Sequence, residues 1–335
     1  MAIIGMVVGS GFISGKEVVV FFSRFGSWSF LSIFLAFFVL FFLFKCILNY
    51  ASSAREKLKC SKFAAISNII LCTIFSAAML GGVNNLLKCS AKWLNFAVFC
   101  VILLICVFIF KKGNMFFNKI NLFLVPTMLV IFVGFLLSKL SFAPSCHVSF
   151  GSVSMFYAIL YCILNTSNGC ALLCNIGENL AKKQKVRVAF ISALALCLLL
   201  LAANIVLLAR PSSFDCDMPL LSIFSGVSKI CMIFVVGLGC ATTLFSLVYS
   251  SSQSCRGLFK NEFLNFFISI CVPCIVSLLG FSNLVQYLYP LASILGGGLL
   301  VWLFFIPSLK RAYNKVHSCR KNAKNENAGH NNVKF

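Results

Sequence analysis

The first residues of the chain include the stretch Gly5-Met6-Val7-Val8-Gly9-Ser10-Gly11-Phe12-Ile13-Ser14-Gly15-Lys16-Glu17. It is an apolar run interrupted by four glycines and closed by two adjacent charges. Each glycine lowers helix propensity by up to ~1 kcal/mol. A charge at membrane depth costs a few kcal/mol unless it meets a partner or water. We therefore predict a helix that is broken around Gly9–Gly11.

The same glycines have a second interpretation. Gly5 and Gly9, like Gly11 and Gly15, have the small-xxx-small spacing that lets membrane helices pack closely. A continuous helix packed on a neighbour is therefore the alternative to a broken one. A broken helix would expose amide groups that bind a carboxylate and carbonyl groups that bind a cation.

The rest of the chain is also apolar. Of its 335 residues, 61% are hydrophobic and 10% are charged, and the mean hydropathy is +1.01. A soluble domain carries roughly 25% charged residues, so lipid must be the main solvent of this surface. The net charge of +21 does not indicate nucleic acid, because the basic residues lie between apolar runs. There they set topology and attract anionic lipids.

Ten apolar runs approach the length of about 20 residues that spans a bilayer. They predict an all-α integral membrane protein with one transmembrane domain over 1–309 and a basic, disordered tail over 310–335. The predicted helices lie near 1–23, 27–49, 64–87, 93–110, 120–138, 151–177, 187–209, 229–252, 263–280 and 283–309.

Basic residues in the connections predict the orientation of these spans. The set of alternate connections that includes 45–62 and the C-terminal tail holds 21 Lys and Arg, whereas the other set holds 6. We expect the first set, with the C-terminus, to face the cytoplasm from a multi-pass position in the plasma membrane. The connections over 139–149 and 210–229 should lie outside.

The sixth predicted span is interrupted like the first. Five consecutive polar or small residues, Asn165 to Gly169, lie in its middle. Polar groups at that depth must be satisfied by protein or by cavity water. Interruptions in the first and sixth of ten spans are typical of a 5+5 inverted repeat with a binding site at mid-membrane. Hydrogen bonding between helices is the alternative.

The eighth span carries two threonines, Thr242 and Thr243. Threonine hydroxyls in membrane helices usually bond back to their own backbone. The alternative is a cation site opposite the carbonyls of the first helix.

At these positions the chain resembles the LeuT-fold transporters of the amino acid–polyamine–organocation (APC) superfamily, and within it the YkvI-type bacterial membrane proteins. The segments that carry the resemblance are Gly9-Ser10-Gly11-Phe12, Ser14-Gly15-Lys16-Glu17, Phe21-Phe22, Ala77-Ala78-Met79-Leu80-Gly81-Gly82, Tyr161 with Asn165, and Leu288-Tyr289-Pro290-Leu291. The resemblance implies discontinuous helices 1 and 6, alternating access, and a solute site between helices 1, 3, 6 and 8.

The resemblance also implies roles for particular residues. The solute would bind at Gly9, Ser10, Gly11, Asn165, Ser167, Asn168 and Gly169. In sodium-coupled members a cation would bind the carbonyls of Gly5 and Val8 and the hydroxyls of Thr242 and Thr243. Lys16 and Glu17 would serve a watery vestibule or the coupling of transport. The YkvI-type pattern has Gln before the Glu, and the fixed charge of Lys16 would replace a coupling cation or favour an anionic substrate.

These features favour a secondary transporter of a small polar solute, an amino acid or related organic ion, coupled to Na⁺ or H⁺. The alternative is a transporter-like receptor or signalling subunit that binds a ligand without moving it. We expect no enzyme and no cofactor or metal, because Glu17 alone of the seven acidic residues lies within a span. Most of the 18 cysteines lie in apolar runs, as small apolar side chains do.

Overall fold

The computed structural model describes residues 2–87, 101, 104, 115–140 and 151–304. Every regular element within these residues is a helix. A helix satisfies its backbone N–H and C=O groups within one segment, which a chain in lipid requires. The predicted tail over 310–335 and nearly all of the predicted span over 93–110 lie outside the described residues.

The first predicted span consists of short helices. They are α1 (Ala2–Val7), α2 (Ser10–Ile13) and α3 (Lys16–Phe21). One break lies at Val8–Gly9. It overlaps the predicted break around Gly9–Gly11 at Gly9, because Ser10 and Gly11 already belong to α2. A second break, at Ser14–Gly15, was not predicted. A 3₁₀ turn at Ser23–Phe25 then leads to the next helix.

The following helices are longer on the whole. They are α4 (Trp28–Asn49), α5 (Ala51–Cys60), α6 (Lys62–Leu87), α7 (Met115–Ser138), α8 (Gly151–Asn168), α9 (Cys170–Glu178), α10 (Lys182–Leu208), α11 (Pro219–Ser222), α12 (Gly226–Leu258), α13 (Glu262–Ser277) and α14 (Phe281–Phe304). Two of them contain a π-helical segment, α13 at Phe267–Cys271 and α14 at Leu284–Leu288.

Five described helices, α4, α6, α10, α12 and α14, are long and apolar enough to cross a membrane. The number becomes six if α8 and α9, which meet at an angle of 61°, form one bent span. The Pro126–Ser138 part of α7 and the helix α13 are shorter apolar helices. The protein is therefore an all-α membrane protein, whereas its ten spans and its inverted repeat stay predictions.

The most extensive helix contacts join α12 to α6 and α10 to α4. Glycines bring α6 close to its neighbours. A Cβ atom at Gly82 would lie 3.2 Å from the sulfur of Cys240 on α12, and one at Gly81 would lie 3.2 Å from the backbone nitrogen of Phe281 on α14. Lipid provides no hydrophobic force between helices, so close packing of small residues is what holds such helices together.

Polar contacts join both ends of α4 to the rest of the molecule. Near its start, Asn204 of α10 accepts a hydrogen bond from Ser23 and donates one to Ser29, both at 2.8 Å. Beyond its end, α5 packs against α9, where Arg55 and Glu178 form an ion pair. The second predicted span and the connection that follows it are thereby fixed to the second half of the chain.

Candidate functional site

The break between α1 and α2 changes the backbone hydrogen bonds of the first span. The Gly9 N–H donates to the Val7 carbonyl at 2.9 Å, whereas an unbroken helix would send it to the Gly5 carbonyl, four residues earlier. Helical bonding resumes where the Ile13 N–H donates to the Gly9 carbonyl at 3.0 Å. The Gly5 carbonyl, a predicted cation ligand, is therefore released from its usual helical donor.

Thr243 of α12 lies against this break. A Cβ atom at Gly9 would be 3.3 Å from Thr243 Oγ1, so the absence of a side chain at Gly9 makes room for the hydroxyl. The other predicted threonine behaves differently, because the Thr242 hydroxyl donates to the Gly239 carbonyl of its own helix at 3.2 Å. Of the two threonines, Thr243 therefore lies at the break, whereas the Thr242 hydroxyl bonds to the backbone of α12.

Glu17 occupies the space beside Gly11. A Cβ atom at Gly11 would overlap the Glu17 carboxyl group. The Glu17 side chain is buried, and its Oε2 atom has no hydrogen-bond partner among the residues that the structure describes. A carboxyl group of the protein therefore stands next to the glycines at which we predicted a substrate carboxylate.

Lys16 binds the connection between α10 and α12. Its Nζ atom donates to the carbonyls of Phe214 at 3.3 Å and Cys216 at 3.0 Å. Lys16 also lies within electrostatic range of Asp215 and Asp217 in that connection. Lys16 is 5% exposed and Glu17 is 4% exposed, so both side chains are buried in this structure, and their role in a watery vestibule or in coupling stays a prediction.

The sixth predicted span bends at Gly169, between α8 and α9. The interruption is narrower than the predicted one, because Asn165 to Asn168 are still helical. Helical bonding continues across the bend, where the Gly169 N–H donates to the Asn165 carbonyl at 3.1 Å. The change at this position is therefore one of direction, with little loss of backbone bonding.

The polar side chains of this segment divide into two groups. The Asn165 amide donates to the Tyr161 carbonyl, and the Ser167 hydroxyl to the Leu164 carbonyl, each at 3.0 Å. In contrast, Thr166 Oγ1 and Asn168 Oδ1 are buried without a hydrogen-bond partner in the described structure. Thr166 was not predicted as a site residue.

Aromatic rings connect the two interrupted spans. The rings of Phe21 and Phe22 contact the ring of Tyr161 edge-on, with centroids 5.5 and 5.1 Å apart. On α14, the ring of Tyr289 lies 4.7 Å from that of Phe75. Both tyrosine hydroxyls are buried and have no partner in the described part of the chain, and the Glu17 carboxyl group lies within electrostatic range of both tyrosines.

Neither tyrosine was predicted as a site residue, although both were noted in the resemblance. The available signal was a phenol hydroxyl in the middle of an apolar run. At that depth it must find a partner within the protein or in cavity water.

The fold and this site define an α-helical membrane protein in which the first predicted span is broken and the sixth predicted span is bent. The chain matches no protein-family model. It is similar to the Uncharacterized protein YyaD of Bacillus subtilis (strain 168), with 25% identity over 333 residues, or 93% of this chain and 96% of that protein. The similarity extends over nearly the full length of both chains.

Proposed function

We propose that the protein is a secondary transporter that moves a small polar solute, an amino acid or a related organic ion, across the plasma membrane by alternating access. The observation that carries the proposal is the contact between two interrupted spans. The first is broken at Val8–Gly9, the sixth bends at Gly169, and the rings of Phe21 and Phe22 meet Tyr161 between them. Transporters bind their solutes where discontinuous helices meet at membrane depth.

The proposed architecture is a 5+5 inverted repeat of ten spans. Such a repeat relates the second span to the seventh and the third to the eighth. The most extensive helix contacts fall between these same partners, α4 with α10 and α6 with α12. Contacts between equivalent elements are what a two-fold axis through the middle of the molecule would produce.

The proposed solute site lies between Gly9-Ser10-Gly11 of the first span and the 165–169 segment of the sixth. Thr166 Oγ1 and Asn168 Oδ1 support it, because buried polar atoms without a partner are available to a solute. A coupling Na⁺ would bind the carbonyls of Gly5 and Val8 and the hydroxyl of Thr243. The broken bonding at Gly5 and the contact between Gly9 and Thr243 support this second site.

Uptake into proteoliposomes tests the proposal. The purified protein is reconstituted with a Na⁺ gradient or a pH gradient and offered labelled amino acids, amines and carboxylates. We expect at least one solute to accumulate in a gradient-dependent way above protein-free vesicles. The absence of gradient-driven flux across this whole panel would contradict transport.

A matched pair of glycine variants connects that uptake to the break. Gly9→Val would fill the contact with Thr243, whereas a Cβ atom at Gly134 on α7 would have no atom of the described neighbouring residues within 4 Å. We expect Gly9→Val to lower uptake by about tenfold, since small misplacements in a binding site have large effects. Gly134→Val should leave uptake unchanged, and equal uptake by both variants would contradict the site.

A receptor that binds without transport gives a different result in the same system. A solute would raise the temperature of unfolding of the protein in a saturable way, yet no gradient would drive its uptake. This outcome would replace the transporter by the alternative class.

A further inference from the structure

Three buried oxygen atoms lie between the first, sixth and tenth predicted spans without a hydrogen-bond partner in the described structure. They are Glu17 Oε2, Tyr161 Oη and Tyr289 Oη. All three side chains are more than nine-tenths buried. An unsatisfied buried polar atom is unfavourable, and an unpaired carboxylate is more so. Three of them in one region indicate a place that is completed by a ligand.

The helices that carry these residues pack on one another. Glu17 belongs to α3, which contacts both α8, the helix of Tyr161, and the π-helical segment of α14 at Leu284–Leu288. Tyr289 follows directly after that segment. The Glu17 carboxyl group lies within electrostatic range of both tyrosines, which agrees with the packing of the three helices on one another. π-helical turns inside α-helices are frequent at functional sites.

Among the residues that the structure describes, no Lys or Arg side chain forms an ion pair with the Glu17 carboxyl group. Its neighbour in sequence, Lys16, is bound to the carbonyls of Phe214 and Cys216. Two ion pairs, Arg55 with Glu178 and Arg256 with Glu262, lie elsewhere in the molecule. A negative charge in this position would therefore need a positive partner from beyond the described residues, such as a bound cation, and otherwise the carboxyl group would take up a proton.

The chemistry of the cluster fits a primary ammonium group. Such a group has three N–H donors, and the cluster offers one carboxylate oxygen and two phenol oxygens. A metal ion such as Ca²⁺ takes six to eight oxygen ligands, which is more than these residues supply. The rings of Phe21, Phe22 and Phe75, which pack on the two tyrosines, add the apolar aromatic surroundings that favour organic cations.

We infer that Glu17, Tyr161 and Tyr289 form a binding site for the primary ammonium group of the solute. The inference rests on the proposed function in one respect, because the ammonium group is assigned to the transported molecule. Gly11 contributes by lacking a side chain, which leaves room for the Glu17 carboxyl group beside the backbone of the first span.

Binding of matched solute pairs tests the site. In each pair a hydroxyl group replaces the ammonium group: ethanolamine with ethylene glycol, and alanine with lactate. Each solute is titrated against the purified protein in lipid nanodiscs at fixed pH and salt, and thermal unfolding is recorded. We expect at least one amine to raise the unfolding temperature in a saturable way, while its hydroxyl partner has no effect.

Three variants then separate the contributions of the cluster. Tyr161→Phe and Tyr289→Phe each remove one hydroxyl and keep the ring, and should raise the half-saturating amine concentration by about tenfold. Glu17→Gln removes the charge and should raise it by roughly a hundredfold or more. The controls are Tyr287→Phe, which is exposed on the same helix as Tyr289, and Glu262→Gln in the exposed pair with Arg256. Both controls should bind like the native protein.

The outcomes distinguish this site from transport itself. Uptake that is unchanged in all three variants overturns the ammonium site and leaves the transporter standing. Amine binding that is lost in the variants, without uptake of any solute by the native protein, overturns transport and leaves the site standing. Equal effects of amine and hydroxyl partners, or of cluster and control variants, also overturn the site. If Glu17→Gln does not fold, the two tyrosine variants decide the result.

A proton in place of the ammonium group is a separate outcome. In that case Glu17→Gln would abolish the dependence of uptake on pH, while the tyrosine variants would bind amines normally. This result would overturn the inference and assign Glu17 to proton coupling.

Discussion

Two different physical reasons explain the glycines of the first span. Gly15 has a φ of 83°, in the left-handed region that side-chain-bearing residues rarely adopt. Gly9 and Gly11 have no positive φ and matter for the space beside them, which is taken by Thr243 and Glu17. A residue other than glycine at these two positions would meet a neighbouring side chain without straining the backbone.

The closest of these contacts is the one between Gly11 and Glu17. Gly11→Ala should lower the stability of the protein by about 1–3 kcal/mol, the usual cost of overpacking, because the new methyl group overlaps the Glu17 carboxyl group. Gly134→Ala should instead be neutral or raise stability by up to ~1 kcal/mol, since α7 gains helix propensity and the new methyl group has no described neighbour within 4 Å. Thermal unfolding in detergent measures both.

A double variant identifies the cause of the loss. The double variant Gly11→Ala/Glu17→Ala removes the side chain that the new methyl group overlaps. Its loss of stability should be smaller than the sum of the losses of the two single variants, as for residues in direct contact. Additive costs would show that the alanine at position 11 acts elsewhere.

Among the elements, the connection between α10 and α12 binds the second break of the first span through three consecutive residues. The Leu220 N–H donates to the Ser14 carbonyl at 2.8 Å. The Leu220 side chain packs on Gly15, and Lys16 binds two carbonyls of the same connection. The predicted outer part of the first span is thus held by a segment from the second half of the chain.

Removal of the Lys16 charge should loosen this connection. In Lys16→Gln we expect hydrogen exchange of backbone amides over residues 211–222 to accelerate by about tenfold, because hydrogen bonds from a charged group are lost. The matched control is Lys229→Gln, an exposed lysine at the start of α12. Mass spectrometry of peptides from this segment measures the exchange. Equal exchange rates in both variants would show that the Lys16 hydrogen bonds do not stabilise this connection.

The sequence predicted where the first and sixth spans depart from a regular helix, but it did not predict which residues contact them there. Local glycine content was enough to predict the break that includes Gly9, and a polar run was enough to predict a change in the sixth span near Gly169. The break at Ser14–Gly15 was missed because it depends on contacts with Leu220, far along the chain. Periodicity and propensity describe neighbours in sequence, whereas the partners of Lys16 and Glu17 are set by tertiary packing.

For the molecule as a whole, the exposed surface requires lipid. On α4, Phe34, Phe38 and Phe42 are 61%, 50% and 64% exposed, and they follow one another at helical spacing. The opposite stripe of the same helix, Ala36 and Leu40 with Phe44, is fully buried. A continuous apolar stripe of this kind would cause aggregation in water, and in a bilayer it is in its proper solvent.

The orientation of the whole molecule can be tested at the two ends of one span, α10. Its first turns carry Lys182, Lys183, Lys185 and Arg187, whereas Arg210 follows its end. The positive-inside rule therefore predicts that the start of α10 faces the cytoplasm and that the 210–218 segment lies outside. Alkaline phosphatase, which is active only outside the cytoplasm, should be inactive when fused after residue 181 and active when fused after residue 213. A green fluorescent protein at the same positions should give the reverse pattern. Opposite results would invert the topology of the chain, and equal activity at both positions would show that α10 does not cross the membrane.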